Sequence, residues 1–205
     1  MKKNIKLTSI VSAIAIVAVA SSPIIASAAS SSANTTINAS VADVISISTG
    51  STVSLSLTPT AGGVVTSASD TVTVNTNRTT GYNLGIADSD ATTTLASGGN
   101  SFTASGGTKA SPVALTNNTW GFAVATATTG IGTNGFDASY TTESNSGSST
   151  SKWAGMPASG SPVMIKTTAA AATNDTTTVW FAARANASQP GGTYTGTVTY
   201  TATTN

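Results

Sequence analysis

Cysteine and histidine are both absent from this chain of 205 residues. Without cysteine no disulfide can staple the fold, so stability has to come from sheet hydrogen bonding and core packing. Without histidine the commonest general base is missing. Without either, there is no Cys-His or Ser-His nucleophilic pair and the commonest soft metal ligands are gone. Charged residues make up only 7% of the chain, against about 25% in ordinary globular domains. Aromatic residues make up 5%. Thr, Ser, Ala, Gly and Asn fill the space, and after residue 28 no apolar run is long enough to cross a bilayer.

The one long apolar run is at the start. MKKNIK precedes IVSAIAIVAVA, and Ala26-Ser27-Ala28 has the small-residue pattern of a signal-peptidase site. Residues 1–28 therefore read as a cleaved signal peptide and the protein as exported. Pro23 and the cleavage pattern favour removal over a retained membrane anchor. Cleavage takes Lys2, Lys3 and Lys6 with it, and five of the eight basic residues then face seven acidic ones, a net charge near −2. No basic patch remains to neutralise phosphates, so nucleic acid is excluded as a partner.

Beyond residue 34 the dominant signal is period-two alternation of Val, Ile, Leu or an aromatic with Thr, Ser or Asn. It predicts strands at VISIS (44–48), TVSLSL (52–57), DTVTVNT (70–76), GYNLGIA (81–87), TWGFAVA (119–125), PVMIK (162–166), TTVWFAARA (177–185) and TYTGTVTYTA (193–202). Turn chemistry separates them, including Gly62-Gly63, Thr80-Gly81, Gly98-Gly99 and Pro190-Gly191-Gly192. The best helix candidate is TTAAAATND (167–175), which is too short to stand alone. The pattern predicts an all-β fold: an Ig-like, Greek-key antiparallel β-sandwich over 44–205, behind a flexible leader or first strand at 29–43.

Residues 127–161 break the pattern. They are rich in Gly and Ser, with Phe136, Tyr140, Trp153 and Met156 irregularly spaced, and read as a long insertion. Trp153 has two readings, a surface attachment point or a ring folded back to cap the sandwich.

Candidate chemistry is sparse. Asp88-Ser89-Asp90 is the only close pair of acids and lacks the Gly and Glu of a calcium loop, so it reads as a solvated turn after the 81–87 strand. Ser149 and Lys152 match a Ser-x-x-Lys spacing, but inside a Ser-rich stretch where chance accounts for it. The six Asn-x-Ser/Thr sites, from Asn34 to Asn186, follow from composition alone. No catalytic residue, metal ligand or cofactor is assigned, and the chain reads as non-enzymatic.

Two segments together resemble the WxL domain, a cell-surface module of Gram-positive bacteria. That family carries a Trp-x-Leu motif after a Thr-Gly turn and ends in a Tyr-x-x-x-Leu-Thr-Trp-Thr-Leu strand. Here Thr80-Gly81-Tyr82-Asn83-Leu84 occupies the first position and Tyr194 to Ala202 the second. Tyr82 and Tyr200 stand where the family has tryptophans, and Val198 and Ala202 where it has leucines. The resemblance implies non-covalent attachment to peptidoglycan or another cell-envelope polymer, or to surface partner proteins. It singles out Tyr82, Leu84, Tyr194, Val198 and Tyr200, beside Trp153. Read as strand faces, the same side chains line a core, with Gly196 leaving room for a neighbouring ring.

A second class is open to the same residues: a pilin-like or matrix subunit that self-associates by donating a strand such as Thr35 to Val41 to a neighbour's sheet edge. An enzyme working with two carboxylates is a third, with few acids to support it.

Overall fold

The computed structural model describes residues 28–124, 136 and 142–205. The predicted signal peptide, apart from Ala28, lies outside the described residues, as do Asp137 and Tyr140 of the predicted insertion. The chain divides at Ser40/Val41 into two units. In the first, residues 28–40 carry no strand or helix and are exposed throughout.

The second unit is all-β. Its strands are β1 (Ile45–Ser48), β2 (Val64–Thr76), β3 (Tyr82–Asp88), β4 (Leu95–Ser97), β5 (Asn100–Ala104), β6 (Thr119–Val124), β7 (Val163–Thr167), β8 (Ala172–Ala185) and β9 (Val198–Thr204). They form a six-stranded sheet in the order β1-β2-β8-β6-β5-β4 and a three-stranded sheet in the order β7-β3-β9. The spine of the larger sheet is the antiparallel β2–β8 pair, in register from Val64↔Ala185 to Thr76↔Ala172 with one irregularity between Val74 and Thr76.

Alternation along each strand decides what the sheets bury. Val72 and Val74 of β2, Phe122 of β6 and Val179 of β8 point inward from the larger sheet, and Tyr82, Leu84 and Ile86 of β3 and Ile165 of β7 meet them from the smaller one. Each such side chain, fully buried, contributes about 1.5–3 kcal/mol. The residues between them in phase point the other way. Val65, Ala123 and Ala182 pack with Leu115 and Trp153 in a second cluster. The larger sheet is therefore covered on both faces, which is why β6 is buried from Trp120 to Val124 instead of alternating.

The cover comes from the described part of the predicted insertion. Ser146 exchanges backbone hydrogen bonds with Val65, and Ala154 with Phe122. Gly121 permits that approach, because a Cβ on it would lie 2.4 Å from the Ala154 carbonyl oxygen.

Three expectations need correction. The sheets are not wholly antiparallel: β5 and β6 pair parallel, Thr103↔Thr119 and Ala104↔Trp120, with residues 105–118 carrying the chain back. TVSLSL forms no strand. It runs extended with Val53, Leu55 and Leu57 half-buried against the core, and its alternation reflects burial without ladder partners. Residues 167–175, too short for a helix to stand alone, form none: they end β7, bend, and enter β8. The strand predicted at 193–202 is divided: Thr195 bridges Ala96 of the larger sheet, while β9 pairs with β3 of the smaller one, Tyr82↔Thr204 to Asp88↔Val198.

Candidate functional site

The structure separates the six singled-out side chains into two groups. Tyr82 and Leu84 are wholly buried at the centre of the core, and Trp153 is 1% exposed. Trp153 lies in the cluster on the outer face of the larger sheet, its backbone paired with Val113. Its indole is thus packing material, not a surface anchor. Tyr194, Val198 and Tyr200 are only half-buried, and all three line one cavity of about 670 Å³.

Residues 49–59, outside both sheets, and residues 189–197, which lead into β9 and bridge the larger sheet through Thr195 and Ala96, supply much of that cavity's lining. Leu95, Phe102, Trp120 and Phe181 of the larger sheet supply further apolar lining. Tyr194 sets its ring edge-on to Phe102, with centroids 4.8 Å apart and planes at 81°, and its hydroxyl donates to the Pro190 carbonyl at 2.7 Å. Trp120 Nε1 donates to the Thr93 carbonyl at 3.0 Å. Gly196 does leave room, but for the Leu95 side chain: a Cβ there would sit 2.9 Å from Leu95 Cδ2, and no ring occupies the space.

Among the described residues Asp70 is the only charged one lining the cavity. It accepts from Gly50 N at 2.9 Å and from the Thr49 hydroxyl, and so fixes the start of the 49–59 segment. Burial, then the nearby Asp70 carboxylate, push the Tyr200 phenol well above its usual range. Tyr200 stays neutral, and the cavity offers apolar walls and backbone edges without an ionised acid–base pair.

The edges are open in a specific sense. β9 is the outermost strand of the smaller sheet, and its inward residues Val198, Tyr200 and Ala202 remain half-buried, whereas β3 beside it is buried at Tyr82, Leu84 and Ile86. The facing Val53, Leu55 and Leu57 are also half-buried.

Asp88 departs from the solvated turn expected of it. It is the last residue of β3 and 2% exposed, with Oδ2 buried and without a hydrogen-bond partner. Burial raises its pKa, while the Thr92 hydroxyl and amide lower that of exposed Asp90. Sequence reasoning missed it, although a signal existed: Asp88 is in phase with Tyr82, Leu84 and Ile86. Among the described residues no group of three or more acids is placed to hold a metal ion.

The root of the leader is anchored. Asn77 accepts from Val44 N at 2.8 Å and donates to the Ala42 carbonyl at 2.9 Å, and Arg78 pairs with Asp43. Preceding that root, Ile37 and Val41 are each 84% exposed. Against this geometry, comparison with known proteins adds no relative: no family model, no curated protein and no solved structure matches the chain.

Proposed function

We propose that this chain is an exported, non-enzymatic cell-surface protein that works as a self-associating subunit. On this reading the two-sheet fold is an Ig-like sandwich with Greek-key crossings, and its copies join by strand addition. One observation carries the proposal. Ile37 and Val41, in phase along the leader with Ala39 between them, are each 84% exposed, whereas most other large apolar side chains among the described residues are buried or half-buried. An alternating apolar segment left in water is half of an interface. The low charge of the chain keeps repulsion between copies small.

Size-exclusion chromatography with light scattering, followed by negative-stain imaging of the purified chain, tests this. Multimers or filaments are expected, and a monodisperse monomer at every concentration would sink the proposal.

Attachment to peptidoglycan or another envelope polymer, which the WxL-like pattern implies, draws support from a different feature. Thr199, Thr201 and Thr203 form an exposed hydroxyl row on the outer face of β9, a surface suited to glycan contact. Co-sedimentation with purified peptidoglycan is expected on that reading, with weaker sedimentation when the three threonines become alanine.

A further inference from the structure

We infer that the cavity between residues 49–59 and β9 is an acceptor groove for one occupant, the Thr35–Val41 segment of a second copy of this chain. The inference rests on the subunit reading above and names the surfaces that would meet.

Pairing comes first. β9 lies at the edge of its sheet and, among the described strands, hydrogen-bonds to β3 alone, so its other edge carries backbone N–H and C=O groups that no described strand pairs. The 49–59 segment across the cavity is extended and outside both sheets. A strand laid between them would satisfy the free edge of β9 and extend the smaller sheet.

Side chains agree with that placement. On an extended Thr35–Val41, Ile37, Ala39 and Val41 fall on one face and Thr36, Asn38 and Ser40 on the other. The apolar face meets a groove walled by Leu55, Leu57, Phe102 and Val198, and the polar face continues the exposed Thr199, Thr201 and Thr203 row of β9. Of these walls Phe102 is already sealed, but Leu55, Leu57 and Val198 are half-buried, so the inserted residues complete burial that the isolated fold leaves unfinished there.

Length and charge fit as well. Seven residues from Thr35 to Val41 match the seven of β9, each about 23 Å when extended. The segment carries no charge, and among the described residues Asp70 is the only charged one lining the groove.

The test uses the absence of cysteine. Two variants of the exported chain are mixed under oxidising conditions, one carrying Asn38→Cys and the other Thr201→Cys, both on exposed faces. A disulfide joining the two variants is expected. Multimers are expected to disappear in Ile37→Asp/Val41→Asp, whose fold circular dichroism and thermal melting should find unchanged because both positions are exposed. Multimers that survive the Asp pair, or that form without the mixed disulfide, overturn the groove assignment and leave the subunit reading standing. The double variant Asn38→Cys/Thr201→Cys is oxidised in parallel, and a monomer in which it closes a disulfide within one chain overturns the assignment to a second copy. A monomer with no disulfide in any arrangement overturns both.

Discussion

The Tyr82 hydroxyl donates to Asp175 Oδ2 at 2.7 Å, and the two residues belong to opposite sheets. Lys166, on the smaller sheet with Tyr82, reaches the other oxygen of the same carboxylate at 2.6 Å and donates to the Thr176 carbonyl at 3.0 Å. One aspartate on β8 thus ties two strands of the facing sheet. Burial, and then the Asp175 carboxylate, hold the Tyr82 phenol far above its usual range, so the hydroxyl remains a donor across any working pH.

Tyr82→Phe keeps the ring in the core and removes only this donor. The expected loss is about 1.5–3 kcal/mol, the range for a hydrogen bond to a charged partner. Urea unfolding measures it, and Tyr82→Phe combined with Lys166→Met should differ from the sum of the single changes, because both act on Asp175. Additivity would show that the aspartate does not couple them.

Gly121→Ala drives a methyl toward the Ala154 carbonyl, and the backbone there has no flexible tip to move aside. Overpacking of this kind costs about 1–3 kcal/mol. Thermal melting of the variant checks it; an unchanged midpoint would mean that the 153–154 segment is not held against β6 as described.

Asp88 predicts a pH dependence whose sign follows from burial. Its native pKa is raised above the ordinary 3.8. Its contribution to stability is therefore fully present below that ordinary value and is lost as pH rises through the raised native one. Asp88→Asn removes the buried charge while keeping an acceptor for the Asp90 amide. The variant should melt higher than the parent at pH 7, with the gain shrinking toward pH 4. A gain that grows on acidification contradicts the assignment. Exposed Asp90, whose pKa is lowered by Thr92, opposes the trend and is best held constant.

Trp153→Ala distinguishes packing from attachment. A ring 1% exposed against Val65, Ala123 and Ala182 should cost about 3–5 kcal/mol on truncation. Surface attachment, measured on whatever folded fraction remains, should not change. A variant that folds normally but fails to attach would reverse that reading.

Much of this fold was legible in the alternation. Tyr82, Leu84 and Ile86 were placed on one face, and they form the centre of the core. Alternation reports which side chains are covered, however, and not which backbone lies alongside. That is why Val53, Leu55 and Leu57 looked like a strand and are instead an extended segment with no ladder, and why the direction of the β5–β6 pair could not be read. The β4–β5 hairpin escaped notice because LASGGNSFTA carries one large apolar residue per strand, Leu95 and Phe102, too few to show a period. The groove was half visible. Tyr194, Val198 and Tyr200 were in phase, but their incomplete burial depends on a segment some 140 residues earlier in the chain.

The pairing of β3 with β9 has a temporal side. Tyr82 meets Thr204 and Asp88 meets Val198, so the smaller sheet cannot acquire its third strand until residues 198–204 have left the ribosome or a translocation pore. Until then Leu84 and Ile86 lack one of their two flanking strands, and the chain is held short of its final structure by its own connectivity. Closure of the smaller sheet is thus set by the order of synthesis, and this topology postpones it until the last strand is available.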